Sequence, residues 1–502
     1  MFILAHDLGT SGNKATLYDF EGRLRSSTVY EYPTYYPGPN CVEQDPEDWW
    51  KAVCVSTREL IEKAGINKKD ISCITFSAQM MGCLPVDKQG NPLRKTIIWA
   101  DTRSVKQAEQ MEKGIGMEAV YRITGHRVSA SYSVEKLLWV KDNEPENYKR
   151  IYKVLHAKDY IIFKLTGKMV TDYSDASGMN LYDINKKEWS DEIIDSIGIE
   201  RGMLPDVHPS TDIAGGITQE AAGEIGLLAG TPVVIGGGDG CCAAAGAGVS
   251  EEGKTYNVVG SSSWIATASK MPVFDESMRT FNWIHLDPAL YSPCGTMQTA
   301  GYSFNWLKNT LCGLEVLLAK ERSINPYVLI DEKINESVPG ANNLLFLPYL
   351  LGERSPRWNP DAKGAFVGLK MTHTNSDIYR SVLEGVAFNL KVILDIFNSF
   401  KPVDEVIVIG GGAKGKVWMR ILADIWQRKI LVPEYLEEAT SMGAAICGGA
   451  GIGVFKDFMV INKFNPVKTV IEPRPEFSET YNRLYEVFNE AYEALVPIYS
   501  RL

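Results

Sequence analysis

The sequence predicts an α/β protein of two related halves around a cleft. Three observations carry this. The chain has 502 residues, more than one domain of roughly 100–200 residues. A strand, a small-residue tip carrying hydroxyls and a returning strand occur over residues 2–19 and again over residues 255–268. In each half a strand runs into three glycines followed by a helix, at Gly236-Gly237-Gly238 and at Gly410-Gly411-Gly412.

The elements follow in order. Phe2–His6 reads as a strand, Asp7-Leu8-Gly9-Thr10-Ser11-Gly12 as a polar glycine turn, and Lys14–Asp19 as the returning strand, closed by Glu21-Gly22. A helix begins after Asp45-Pro46, with Pro at an early position and Glu47 and Asp48 near its positive end. It carries Trp49, Val53 and Leu60 inward. Ile71–Ala78 is a strand, followed by the irregular Gln79-Met80-Met81-Gly82, by Cys83–Asp87 and by Thr96–Trp99. Helices dominate from Ser104 to Thr166. Pro232–Ile235 is a buried strand leading through the glycines to Asp239 and a helix over Cys241–Val249.

The second half repeats the pattern. Thr255–Val259 and Trp264–Ala268 flank the tip Gly260-Ser261-Ser262-Ser263. Glu405–Ile409 feeds the second glycine run, and a helix covers 417–426. A C-terminal helix after Glu476 puts Tyr481, Leu484, Tyr485 and Phe488 on one face. The short polar stretch Ser250-Glu251-Glu252-Gly253 is the expected boundary, giving domains 1–249 and 250–502.

Composition narrows the function classes. Hydrophobic residues make up 45% and charged residues 23%, enough for a sizeable core. Lys+Arg number 52 and Asp+Glu 62, a net charge of −10, which argues against nucleic acid as a partner. The nine cysteines are scattered without a C-x-x-C pair and the six histidines form no H-x-x-x-H pair. Reduced thiols in the cytoplasm are the expectation, with neither a disulfide framework nor a zinc site. The N-terminus reads as a strand and not a signal peptide. No uninterrupted apolar stretch of about 18 residues marks a membrane span. A small-molecule enzyme is the default class.

The two tips are the first chemical candidates. Bare N–H groups and hydroxyls in a tight turn make an anion cradle, although many such turns are only turns. No G-x-x-x-x-G-K-[ST] loop occurs. Asp7 is expected either to serve Mg²⁺ beside a phosphate or merely to cap the loop as an Asx-turn. Asp239 reads either as a helix N-cap or as the base that accepts a proton from an attacking substrate hydroxyl. In the second role the three preceding glycines leave room for a ligand, and the helix N-terminus favours the ionised form, a weak base. Gly410, Gly412 and Gly415 give a G-x-G-x-x-G match without a suitable acidic partner, and a flat surface for adenosine explains the run equally well. Gln79, Trp99, Asp101 and Arg103 follow strand ends and supply the donors, acceptors and aromatic wall of a sugar site. Met80-Met81 reads more readily as core filler.

These residues resemble the FGGY family of carbohydrate kinases. The resemblance is carried by Asp7 through Gly12, by Ser131-Tyr132-Ser133-Val134-Glu135-Lys136-Leu137-Leu138-Trp139-Val140, by Gly236 through Asp239, and by Leu347 through Pro356. Gly364 through Leu369 and Val382-Leu383-Glu384-Gly385 complete it. Within the family it is greatest to members acting on the ketopentose D-xylulose, in Val42 through Pro46, Gln79-Met80 and Leu155 through Tyr160.

The resemblance implies an actin/hexokinase-like (ribonuclease H-like) fold. It also implies ATP-dependent phosphorylation of a sugar hydroxyl in the interdomain cleft, with Mg²⁺. It would make Asp239 the catalytic base and put Asp7 and Asp239 near the metal. Gly9, Thr10, Ser11, Lys14, Gly260, Ser261, Gly411 and Gly412 would face ATP. Gln79, Met80, Met81, Trp99, Asp101 and Asp239 would face the sugar. Family members are often dimers. Two positions depart from the D-xylulose pattern: Met81 stands where His is usual, and Ala100 where Asn is usual. Another ketose, a polyol or gluconate is the alternative acceptor. From other classes, a phosphoanhydride hydrolase or a non-catalytic binding protein on the same scaffold is the alternative.

Overall fold

The N-terminal strand is buried from Ile3 through His6, and its apolar run is continuous because elements cover it on both faces. A computed structural model describes residues 1–502. In it, Phe2–Leu8 pairs antiparallel with Gly12–Asp19 on one side and parallel with Ile71–Ala78 on the other. The sheet runs Leu24–Glu31, Gly12–Asp19, Phe2–Leu8, Ile71–Ala78, Pro232–Val234 and Ile213–Gly216, with the two-residue strand Gly237–Gly238 also paired to Ile71–Ala78.

The second sheet has the same plan. Tyr291–Met297, Ser263–Thr267 and Thr255–Val259 form the antiparallel trio. Glu405–Ile409 and Lys429–Pro433 continue it in parallel. Val467–Ile471 closes one edge antiparallel, as Ile213–Gly216 does in the first sheet, and Phe281–Ile284 adds a seventh strand at the other edge. The hairpin echo in the sequence is thus an echo of whole sheets.

Local signals set the helices. Asp45 caps Pro46–Ala64 by accepting from the Glu47 N–H, and Gly65 ends the helix in the left-handed region. Trp49, Val53 and Leu60 are buried, as the periodicity predicts. Ser478–Tyr499 buries Tyr481, Leu484 and Phe488. Two expectations are corrected. The first hairpin is extended by a third strand, Leu24–Glu31, whose consecutive polar residues Arg25-Ser26-Ser27-Thr28 hid it. The helical stretch 104–166 is interrupted by Lys153–Leu155, which pairs with Leu84–Val86.

The halves meet through two helices of small residues. Asp239–Ala247 crosses Ala439–Gly451 at backbone contact. A methyl group on Gly246 would lie 1.8 Å from the Ala439 carbonyl oxygen, and one on Gly443 1.9 Å from that of Cys242. The Ala439–Gly451 helix also packs on the first sheet, where Gly448 faces Cys73 and Thr75. One apolar core therefore draws on both halves, including Ile3, Cys73, Cys242, Tyr256 and Met442. No helix is long and apolar enough to cross a membrane.

Candidate active-site cleft

Three adjacent strands put Asp7, Ser77 and Gly237 in one row, and Leu8, Ala78 and Gly238 in the next. Asp239 follows at the carboxyl ends of these strands, where α/β sheets place ligands. Asp7 lies inside the first strand, opposite Lys14, and accepts a 2.8 Å hydrogen bond from Ser77 Oγ. It does not cap the loop. Nor is Asp239 the N-cap: Gly238 is, and Asp239 is the first helical residue, its Oδ1 accepting the Gly240 N–H at 2.7 Å.

Both carboxyls are half-buried. Burial pushes Asp7 above its ordinary value. Burial first, and then the charge of Asp7, raise Asp239 to about 7 against the opposing Gly240 N–H. The expectation of a carboxyl held in its ionised form by the helix N-terminus is therefore corrected: burial and the charge of Asp7 raise it.

The glycines before Asp239 admit the protein's own groups and not a ligand. Gly236, at φ +71°, has the Phe76 carbonyl oxygen 1.9 Å from where a Cβ would stand. Leu286 and Ser174 crowd Gly237, and the Met80 side chain covers Gly238. Behind them Ser174 Oγ accepts the Gly238 N–H at 2.9 Å and donates to Asp172. Asp172, Asp159 and Asp175 surround the buried ammonium of Lys158 at 2.7–2.9 Å. His156, Asp159 and Asp175 have ligand atoms close enough for a metal, but the Lys158 ammonium already supplies the central cation.

Each tip is held by its surroundings. In the first, Gly9 N–H bonds Gly12 O at 2.9 Å, and Gln44 donates to Thr10 O at 2.6 Å. Trp99 Nε1 donates to Thr10 Oγ1 at 2.9 Å, and Tyr32 donates to Gly9 O. In the second, Gly260 N–H bonds Ser262 O at 3.0 Å, and the N-terminus of the Gly301–Thr310 helix donates to Gly260 O and Ser261 O.

A cavity of about 660 Å³ opens beside the second tip. Gly260, Ser261, Gly411 and Gly412, the residues expected to face ATP, line it together, and a Cβ on Gly411 would meet open space. Sequence reasoning missed Tyr302, Asn305, Tyr327 and Asp331. They come from two helices, Gly301–Thr310 and Pro326–Asn335, that are far from the glycine runs in sequence and meet them only by packing. Burial alone raises Asp331 to about 6. A second cavity of about 850 Å³ spans the halves, with Trp99, Ala100 and Ser131 on one wall and Ser261, Arg354 and Trp358 on the other.

The expected sugar residues divide. Met80 and Met81 lie beside Gly238 and Gly178, and Trp99, 37% exposed, faces the spanning cavity. Gln79 is buried and donates to Gln44, which holds the first tip. Its Nε2 is thereby tied to the frame of the first tip, while its Oε1 is buried without a protein partner. Asp101 is 0% exposed, its oxygens accepting from Arg103 and from the Val42 N–H. It braces a network that includes Glu43 and Arg94. Lys14 turns to the second half, 3.9 Å from Glu438 and 3.5 Å from Glu437 O.

The comparisons agree along the whole chain. Residues 2–246 match the N-terminal domain, and residues 255–452 the C-terminal domain, of the FGGY family of carbohydrate kinases. A xylulose kinase from Bacillus subtilis (strain 168) is 32% identical over 98% of this chain and 96% of its own length. A gluconokinase from Bacillus licheniformis is 30% identical, over 100% of this chain and 97% of its own length. A ligand-bound xylulose kinase from Lactobacillus acidophilus superposes with a TM-score of 0.92 at 28% identity, covering 100% of this chain and 99% of that one.

Proposed function

The chain belongs to the FGGY family of carbohydrate kinases, and we propose that it transfers the γ-phosphoryl group of ATP to a hydroxyl of D-xylulose, giving D-xylulose 5-phosphate and ADP. One observation carries the mechanism. A carboxyl raised to about 7, Asp239, stands at the carboxyl ends of the strands that carry Asp7, at the start of the helix that crosses Ala439–Gly451. In this reading Asp239 accepts the sugar hydroxyl proton as that oxygen bonds to the γ-phosphorus and the bond from phosphorus to the β–γ bridging oxygen breaks. Gly9, Thr10 and Ser11 hold the phosphates from one side, Gly260 and Ser261 from the other. Gly411 and Gly412 lie along the adenosine in the 660 Å³ cavity. The work is positioning and charge stabilisation, as phosphoryl transfer requires.

The donor set fits Mg²⁺. Asp7 and Asp239 are two hard oxygen donors whose charges raise the cost of ionising both together. When bound, the ion would neutralise phosphate charge between the tips. Asp7 would hold it and Asp239 would remain oriented by the Gly240 N–H.

The relatives favour D-xylulose, and the gluconokinases among them make gluconate the second reading. Met81 and Ala100, apolar beside the cleft, bear on that choice. We divide the chain at residue 250 into a sugar-side and a nucleotide-side domain. We place the protein in the cytoplasm, supported by nine free thiols. We further propose a homodimer, supported by the exposed Leu314 and Leu317 on one helix; sedimentation of the purified chain decides it.

The test is release of ADP from MgATP with D-xylulose, D-gluconate, glycerol or no acceptor, with the product identified by mass and NMR. Stimulation by D-xylulose with formation of the 5-phosphate is expected. ATP turnover indifferent to every acceptor would indicate a hydrolase, and no turnover with retained nucleotide binding a non-catalytic protein.

A further inference from the structure

The Ser133–Asn143 helix buries a lysine completely, and Lys136 forms no ion pair. Its Nζ donates instead to two backbone carbonyls, at 2.8 Å to Met81 and also to Ser131. Burial pushes its ammonium down to about 8. An apolar side chain of the same length would fill that space without the penalty of desolvating a charge. What the charge achieves is a bond between two loops, one carrying Met81 and the other Ser131.

Both loops stand at the cleft. Met81 is the third residue after the strand Ile71–Ala78 and sits at φ +62°, a left-handed backbone that residues with a Cβ rarely adopt. Such a conformation persists only where its surroundings enforce it. Its neighbour Met80 lies against Gly238, one residue before Asp239. Ser131 lines the 850 Å³ cavity together with Ser129 and Ala130. Lys136 therefore touches no reacting atom, yet it ties the loop beside the base to the loop across the cavity wall.

We propose that Lys136 is a positioning residue that sets the shape of the sugar pocket by clamping the Met81 and Ser131 carbonyls. This rests on the reading that the acceptor lies against Met80 and Met81. The clamp holds Met81 in its left-handed conformation. Without it, the loop relaxes toward ordinary backbone, Met80 lifts from Gly238, and the acceptor loses a defined wall beside Asp239. The nucleotide cavity is built from other elements and is untouched.

Two variants and two readouts test this in the full-length protein with MgATP. Lys136→Met keeps the length and removes the donors, and Lys136→Arg keeps donors and charge. Loss of one clamped wall is expected to raise the acceptor KM about 10–100-fold while the ATP KM stays within about 2-fold. Lys136→Arg is expected to recover part of that loss. Hydrogen exchange in Lys136→Met is expected to speed up over residues 79–83 and 129–131 and to stay unchanged over Ile71–Ala78. Where Lys136→Met does not fold, Lys136→Gln, too short to reach both carbonyls, is read in its place. An unchanged acceptor KM in a folded variant, or acceptor and ATP KM values rising together, would overturn the proposal. So would loops that keep their protection. The exchange measurement needs no acceptor, so a wild-type chain that phosphorylates no sugar refutes the kinase reading without deciding the clamp.

Discussion

The indole N–H of Trp99 donates to the hydroxyl of Thr10 at 2.9 Å, joining the aromatic wall of the 850 Å³ cavity to the Gly9–Gly12 tip. The same Thr10 presents its carbonyl to Gln44, which Gln79 and Trp49 hold in turn. Trp99, the first tip and Gln79 thus share one hydrogen-bonded frame. Trp99→Phe keeps the wall and removes the bond. A single lost hydrogen bond of about 1 kcal/mol is expected to lower kcat/KM for ATP about 5-fold with the acceptor saturating. Steady-state kinetics read it, and unchanged ATP kinetics would show that the bond does not hold the tip.

Asp239→Asn is expected to lower kcat by about 10³-fold or more while nucleotide binding by calorimetry persists. The same substitution carries a stability signature. The folded Asp239 carboxyl lies near 7, above its unfolded value, so the folded state binds the proton more tightly. That stabilisation is fully present below the unfolded value and is lost as pH rises through about 7. The neutral amide escapes the loss. Without Mg²⁺, the variant is expected to melt about 2–5 °C above the wild type at pH 8 and level with it near pH 4. A gap that does not depend on pH would remove Asp239 as its source.

Met81→His is expected to raise the ratio of kcat/KM for D-xylulose over D-gluconate about 10-fold, the worth of one restored polar contact. His also tolerates the left-handed backbone at φ +62° better than most residues. An unmoved ratio would show that the Met81 side chain does not meet the acceptor.

Gly443→Ala puts a methyl group 1.9 Å from the Cys242 carbonyl oxygen, so the two crossing helices must separate. A loss of about 3 kcal/mol or more is expected, seen as an early melting transition. A normal melt would mean that the halves slide without strain.

Lys158→Met leaves Asp159, Asp172 and Asp175 buried without their cation. Breaking such a cluster is expected to destabilise by about 3–5 kcal/mol. Adding Asp175→Asn, which removes one of the stranded charges, is expected to restore part of it, and thermal melts of the two variants compare directly.

Legibility in the sequence followed the range of the cause. The tips at Gly9-Thr10-Ser11 and Gly260-Ser261 were readable because a tight turn needs its glycines and hydroxyls within a few residues. The capped helix after Asp45 was readable for the same reason. The third strand Leu24–Glu31 was not, because at an exposed edge its residues are mostly polar. Gln79 and Asp101 have the chemistry of sugar ligands, and only the folded chain brings Gln44 to the Gln79 Nε2 and the Val42 N–H to Asp101. Tyr302, Asn305 and Asp331 enter the 660 Å³ cavity only through the way their helices pack.

By itself the sequence determined the two-fold repetition of strand, tip and strand, the family resemblance, and Asp7 and Asp239 as the carboxylates to watch. These rest on backbone conformation and on spacing along the chain, which residue types dictate directly. Only the tertiary structure decided that the glycines before Asp239 make room for Phe76, Leu286 and Met80 and not for a ligand. It alone showed that the Asp239 carboxyl is raised to about 7, because burial and the field of Asp7 depend on which groups surround a carboxyl in space and not on its neighbours in sequence.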